Sequence, residues 1–210
     1  ASQKTMQGQS TFSTNARTPP LCGTSQRNHH CPDAAIRKRE GRYCRLRMAT
    51  LNIGTLTGKG REVAAVMFAR KIDILCLQEL RWTGGQSGGK ARALGDGYKL
   101  YYCGGKKARN GVGICLSEYW QDKVIAVERK PDRIIYMKLV IPGMSINIVS
   151  VYAPQQGCGE EEKDLFWNQL NGILAGIPDG EELIVAGDLN GHVGKDREGM
   201  ERWHGGWTIG

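Results

Sequence analysis

No run of about 18 apolar residues occurs anywhere in the 210-residue chain, so no segment has the length and character of a membrane-spanning helix. The N-terminus is polar and carries no apolar core of the kind a secretory signal needs. Cysteine is present without pattern: the seven thiols are irregularly spaced, and no CxxC pair occurs. That argues against a disulfide framework, and with no leader it points to a reducing nucleus or cytoplasm. Cys22, His29, His30 and Cys31 lie close in sequence, yet without the ligand spacing that structural zinc sites show. Internal repeats are absent too. Acidic residues nearly vanish from residues 1–47, which hold only Asp33 and Glu40 against nine Lys or Arg.

That last shortage locates the charge. Residues 1–47 carry +7 of the chain's formal +8, and the remainder is close to neutral. Residues 1–35 are rich in Ser, Thr, Gln, Asn and Pro and poor in large apolar side chains, so they cannot bury enough surface to offset their ordering entropy. Residues 1–45 therefore read as a basic, disordered tail. Its end, Arg37-Lys38-Arg39 with Arg42, Arg45 and Arg47, suits electrostatic contact with phosphates, nuclear targeting or plain solubility.

Residues 46–210 read as one folded domain, long enough for a single core. Apolar patterning predicts strands over 47–53, 72–80, 98–103, 111–116, 124–127, 133–141, 145–152 and 182–186. Helices are expected over 61–70, with Val63, Ala64, Val66, Met67 and Phe68 around one face, and over 160–174. In the second helix Leu165, Phe166, Leu170, Ile173 and Leu174 form the expected buried stripe, and Glu160, Glu161 and Glu162 complement the helix dipole. The Gly- and Lys-rich stretch 83–97 reads as a loop, and Pro142-Gly143 as a turn. Cys76, Cys103 and Cys115 sit in apolar runs and read as core thiols. Mixed hairpins and crossovers imply an α/β protein with mixed sheets.

The most informative segment runs from Ile184 to His192. Its apolar run stops at Gly187, and Asp188, Leu189, Asn190 and Gly191 follow. Open α/β sheets place their chemistry at the C-terminal ends of strands. Strand alternation turns Asp188 and Asn190 to the same side. A carboxylate beside an amide can activate water and orient a phosphate oxygen, although Asp, Asn and Gly are equally ordinary turn formers. Asn52, Glu79, and Tyr152 with Pro154 also follow apolar runs directly. Each has a plain structural alternative: a turn cap for Asn52, an ion-pair partner for Glu79, half-buried packing for Tyr152, a strand stop for Pro154.

Taken in order, Leu51-Asn52-Ile53-Gly54, Leu77-Gln78-Glu79, Val151-Tyr152-Ala153-Pro154 and Val185-Ala186-Gly187-Asp188-Leu189-Asn190 resemble the motifs of the exonuclease–endonuclease–phosphatase superfamily. More specifically, Gln78-Glu79-Leu80-Arg81-Trp82 and Gly187-Asp188-Leu189-Asn190-Gly191-His192-Val193-Gly194 are similar to the endonuclease domain of RTE-like non-LTR retrotransposons and of craniofacial development protein 2-like genes. The resemblance spans about residues 46–210. It implies a four-layer α/β sandwich with two mixed β-sheets, incomplete at the C-terminus, and divalent-metal phosphodiester hydrolysis by a DNA endonuclease of retrotransposon origin. On this resemblance Glu79 binds Mg²⁺ (or Mn²⁺), and Asn52 lies beside the metal and helps place the phosphate. Tyr152 contacts the phosphate, Asp188 orients or deprotonates the attacking water, and Asn190 supports the constellation.

This sequence departs from the family pattern at Gly54, where abasic-site enzymes carry a carboxylate, and at Gln155, where many relatives carry Asn. Its last residue, Gly210, precedes the family's later strands and their Asp-His pair, and neither His192 nor His204 matches that pair. The expectation is therefore weak or absent activity in this chain. The alternative is a non-catalytic interaction or nucleic-acid-binding module with a protein partner at the open sheet edge. DNA is the expected ancestral substrate, and no apolar loop suggests a lipid one. Arg81 and Trp82, just after Glu79, and Lys106 and Lys107 in the Gly104–Arg109 turn are the candidate nucleic-acid contacts. Trp82 reads equally as a base-stacking platform or as packing against 83–97, and the turn as a phosphate contact or a solvated hairpin.

Overall fold

The computed structural model describes residues 46–84 and 91–191. Of two compact units, Cys31–Asn190 holds every element described. The expectations for the basic tail, for Cys22, His29, His30 and Cys31, and for His192 and His204 lie outside the described residues.

Two β–α–β units give the fold its plan. In the first, strand β1 (Met48–Asn52) leads through helix α1 (Gly60–Arg70) to strand β2 (Ile74–Gln78), and the two strands pair in parallel. A parallel pair needs such a crossover, because a tight turn can only reverse the chain. The antiparallel remainder of this sheet is β3 (Ala91–Gly95), β4 (Tyr98–Cys103) and β5 (Val112–Leu116), in the order β1-β2-β5-β4-β3. After a short helix, α2 (Glu118–Gln121), the second sheet forms from β6 (Val124–Lys130), β7 (Ile134–Ile141) and β8 (Met144–Tyr152). The second crossover then runs through α3 (Glu160–Ala175) to β9 (Glu182–Asp188), parallel to β8 and giving the order β6-β7-β8-β9.

The sheets stack with their inner faces together and a helix on each outer face, which is the four-layer α/β sandwich with two mixed sheets. Ile74, Cys76, Ile114 and Leu116 meet Met137, Leu139, Ile146 and Ile148 between the sheets. The alternate residues of the first sheet, Leu75, Leu77, Leu100 and Cys115, receive Val63, Ala64 and Met67 of α1. Ile134, Val149 and Val151 receive Phe166, Leu170 and Ile173 of α3. The inner layer also holds a polar link: Thr50 Oγ1 donates to Gln78 Oε1 at 3.2 Å, and Gln78 Nε2 to Ser150 Oγ at 3.4 Å. Cys76, Cys103 and Cys115 are core thiols as expected, and burial pushes Cys76 and Cys115 up to about 12.

Several expectations need correction. Residues 83–97 are not all loop, since β3 occupies Ala91–Gly95. This short edge strand is held by its pairing with β4, across Asp96-Gly97 with φ of 50° and 77°. Positive φ at both positions of a two-residue turn makes Asp-Gly a hairpin signal, and the Gly- and Lys-rich context hides it. Helix α2, which inserts Trp120 into the core, is too short to show a period. Val66, Phe68 and Leu165 are exposed, not buried. They lie off the stripes set by Val63 and Met67 and by Phe166, Leu170 and Ile173, which follow the helical spacing of three or four. Among the described residues β1 and β9 end their sheets, with Leu51, Leu183 and Val185 exposed.

Gly187 lets β8 and β9 run close together, because a Cβ added there would collide with the Val151 carbonyl. Gly187→Ala is expected to lower stability by about 1–3 kcal/mol, the usual range for overpacking, as read by thermal or urea unfolding. An unchanged midpoint would show that the two strands have room to separate.

Candidate active site

Both β–α–β units present their C-terminal strand ends at the same rim. Asn52 and Gln78 end the parallel pair of one sheet in register, and Tyr152 and Asp188 end that of the other. Asn52, Glu79, Tyr152, Asp188 and Asn190 are separated by up to 138 positions in sequence and meet through a continuous set of hydrogen bonds. Asn52 Nδ2 is the centre. It donates to Glu79 Oε1 at 2.9 Å and to Asp188 Oδ2 at 3.0 Å, tying the first sheet to the second. The Tyr152 hydroxyl donates to the same Glu79 Oε1 at 2.9 Å. Asp188 Oδ1 accepts the backbone N–H of Asn190 at 2.9 Å, and Asn190 Nδ2 donates to the Ala153 carbonyl at 2.6 Å.

The backbone at this rim is held in unusual conformations. Glu79, Arg81 and Asn190 adopt positive φ of 55°, 51° and 46°. The left-handed region costs a non-glycine residue roughly 1–2 kcal/mol, and Asn tolerates it best. For Glu79 the conformation follows from the departure of the chain from β2: Leu80 N and Arg81 N hydrogen-bond to the Gly111 and Asn110 carbonyls. The turn returns the Glu79 side chain to the rim beside Asn52. Strain of this kind persists where the surroundings over-determine it, and it clusters at functional sites.

The electrostatics follow from the donors. Glu79 lies below the usual carboxylate range, first because Asn52 donates to it, with Arg81 and Tyr152 adding to the effect against partial desolvation. The Tyr152 phenol is pushed up by burial and by its bond to the Glu79 carboxylate. Glu79 Oε2 carries the Arg81 guanidinium at 2.9 Å, with the Arg81 side chain 55% exposed. Among the described residues no three Asp, Glu, His or Cys side chains form a cluster able to hold a metal ion. The carboxylates at the rim are Glu79 and Asp188.

The candidate nucleic-acid contacts divide in two. Lys106, Lys107 and Arg109 are exposed on the connection between β4 and β5. That connection is docked against the segment following Glu79: Gly104 N donates to the Gly84 carbonyl at 2.7 Å and Gly84 N to the Gly105 carbonyl at 3.1 Å. Gly104 is required there, since any Cβ would collide with the Trp82 carbonyl. The half-buried Trp82 ring engages the protein. It meets Tyr102 edge-on at 5.3 Å, Arg92 lies 5.1 Å over it, and Nε1–H donates to Thr57 Oγ1 at 3.3 Å. These contacts pack the ring against β3 and its neighbours.

Sequence reasoning misses Arg133, Glu162 and the placement of Gln155, whose Nε2 donates to the Tyr152 hydroxyl at 3.4 Å. Gln155 directly follows Pro154 and is within reach of a motif reading. Arg133 and Glu162 show no local signal, because their pairing spans 29 residues.

The chain matches the Endonuclease/Exonuclease/phosphatase family over residues 49–207. It is 30% identical over 154 residues to craniofacial development protein 2 of Tragulus javanicus, a match covering 72% of this chain and 25% of that protein. The chain thus spans about a quarter of the length of the curated relatives it matches. An AP endonuclease from Archaeoglobus fulgidus superposes with a TM-score of 0.51 at 22% identity, covering 70% of this chain and 58% of that one. The endonuclease domain of TRAS1, a telomere-specific non-LTR retrotransposon, superposes with a TM-score of 0.50 at 16% identity, covering 70% and 62%. At these identities the solved structures establish the fold.

Asn52→Ala removes the largest cause of the depressed Glu79 pKa. Carboxyl ¹³C NMR of the variant is expected to show Glu79 titrating at higher pH than in the parent protein. A titration that stays in place would contradict the shared-amide geometry.

Proposed function

Because the chain belongs to the endonuclease/exonuclease/phosphatase family, we propose that this site hydrolyses phosphodiester bonds of DNA with the help of a divalent cation, as an endonuclease of retrotransposon origin. The observation that carries the reading is the Asn52 amide shared between Glu79 and Asp188, carboxylates from opposite sheets at one rim. Neither the β–α–β crossovers nor the packing of the core requires that arrangement. It is one that a phosphate and a water can use together.

The donor set suits a hard cation. Mg²⁺ retains several waters and takes one or two carboxylates in place of an all-protein cage. Glu79 offers one, with Asn52 beside it. Its outward oxygen is paired only with the exposed Arg81, and such surface pairs are worth about 0–1 kcal/mol and exchange readily. When bound at Glu79, Mg²⁺ or Mn²⁺ supplies the positive charge that polarises a phosphoryl oxygen and stabilises charge developing on it.

The remaining chemistry belongs to the chain. Asp188 accepts a proton from the attacking water. Its plane is fixed by Asn52 on one oxygen and by Asn190 N–H on the other, and each oxygen keeps a lone pair free. Asn190 holds the Asp188 turn closed through the Ala153 carbonyl. The Tyr152 hydroxyl, kept protonated by its environment, can turn from Glu79 to donate to a non-bridging phosphate oxygen. Holding water, base and phosphate in one geometry replaces a bimolecular encounter, the source of much of the rate in phosphoryl transfer.

Lys106 and Lys107, with Arg81, are the proposed phosphate contacts for a duplex crossing the rim. Their contribution is electrostatic and independent of sequence. Replacing both lysines by Ala is expected to weaken DNA binding and to reduce the slope of log K against log salt by about two, near 0.9 for each phosphate no longer neutralised. An unchanged slope would move the DNA path elsewhere.

The activity itself is tested with supercoiled plasmid. Slow nicking is expected that needs Mg²⁺ or Mn²⁺, stops with chelator, and is lost in Asp188→Ala and Glu79→Ala. Tight DNA binding with no metal-dependent nicking would instead favour a non-catalytic nucleic-acid-binding module built on the same domain.

A further inference from the structure

Among the described residues Arg133 is the only charged residue that is buried, with 8% of its surface exposed, and no step above uses it. It lies at the turn into β7, where the β7–β8 ladder ends while β8 stays paired with β9. The β7–β8 ladder reaches as far as Ile134 and Val151, and the next residues of β8 lead into Pro154. The Tyr152 carbonyl therefore faces past the end of the β7 ladder inside the protein, where an unpaired carbonyl is costly, and the Ala153 carbonyl lies beside it. Arg133 Nη1 donates to both, at 3.1 and 3.3 Å. Its Nε and Nη2 both donate to Glu162 Oε1, at 3.1 and 2.6 Å, in the first turn of α3. The guanidinium carbon lies 5.3 Å over the Tyr152 ring, and the Tyr152 N–H donates to the Arg133 carbonyl at 2.9 Å.

Tyr152 is thus gripped by one residue at its amide, its carbonyl and its ring face. Its only remaining freedom is the direction of the hydroxyl, which ends on Glu79. The neighbouring Ala153 carbonyl takes donors from both Arg133 and Asn190, so the same peptide also touches the residue that closes the Asp188 turn. A lysine has one point charge and three donors and cannot reproduce this fork, which needs planar donors pointing in two directions.

We propose that Arg133, held by Glu162, is a positioning residue of the active site, fixing the Tyr152 ring so that its hydroxyl stays at the rim beside Glu79. This rests on the phosphodiesterase reading above. It adds a coupling from α3, on the outer face of the second sheet, to the rim.

Truncating Arg133 to Ala would leave the Tyr152 carbonyl without its donor and could unfold the chain, so the informative variants are Arg133→Lys and Glu162→Gln in the full chain, each checked for folding by circular dichroism. Each is expected to lower the kcat of plasmid nicking roughly tenfold, within the hundredfold that a misplacement of about 1 Å can cost, with KM for DNA unchanged within about twofold. In a Tyr152→Phe background the same substitutions are expected to cost about threefold or less, because the hydroxyl they position is gone. An undiminished tenfold loss in that background overturns the proposal, as does a rise in KM with kcat unchanged. A second arm needs no activity. With ¹³C-labelled tyrosine, the Tyr152 ring signal is identified by its loss in Tyr152→Phe. Glu162→Gln, which does not touch Tyr152, is expected to shift that signal through Arg133. A folded Glu162→Gln protein with an unmoved signal contradicts the proposal. If the parent chain does not nick DNA, the proposed activity fails and the NMR arm still decides the role of Arg133.

Discussion

The side-chain amide of Asn52 is the constraint on which the site depends. Two carboxylates drawn together from separate sheets repel, and each loses solvent as the rim closes. One NH₂ group offers a donor to each, so Glu79 and Asp188 lie side by side across the two sheets. Hydrogen bonds to charged groups are worth about 1.5–3 kcal/mol where shielded and less at an exposed position such as Asn52. The amide also fixes geometry, since its two N–H vectors are rigidly spread. Its oxygen is used as well, accepting the Gly54 N–H at 3.1 Å and closing the turn that follows β1.

The fold exists in a form that makes this possible. A parallel strand pair ends with both C-termini on the same side, and here each sheet contributes one such pair, built by its own crossover helix. Stacked face to face, the two pairs bring four strand ends to one rim. The Thr50, Gln78 and Ser150 link inside the stack holds the sheets in register just below it. Gly187 lets β8 and β9 run close together one residue before Asp188 pairs with Tyr152. The core thus supplies position, and the strained turns at Glu79, Arg81 and Asn190 supply the final aim.

Much of this is legible in the sequence, because the strands that matter are apolar runs with abrupt polar ends. The alternatives weighed for single residues turn out to coexist with the site. Asn52 caps a turn and bridges carboxylates, Glu79 pairs with Arg81 and faces the rim, and Asp188 forms an Asx-type turn with Asn190 while meeting Asn52. A local role and a site role are not exclusive when one side chain has several donors or acceptors. What the sequence hides is of two kinds. Edge strand β3 depends on pairing with β4 and not on its own propensity, and only Asp96-Gly97 announces it. Arg133 and Glu162 depend on tertiary proximity alone, and no spacing in the chain relates them.

The proposed chemistry turns on Glu79, ordered by Asn52 beside Asp188, as the place where a divalent cation meets the scissile phosphate. Anomalous diffraction from crystals soaked in Mn²⁺ reads that place without relying on turnover. A peak is expected at coordination distance from the Glu79 carboxylate, with Arg81 displaced from it, and no such peak in Glu79→Gln crystals. An Mn²⁺ peak elsewhere, with the Glu79–Arg81 pair intact, would refute the assignment.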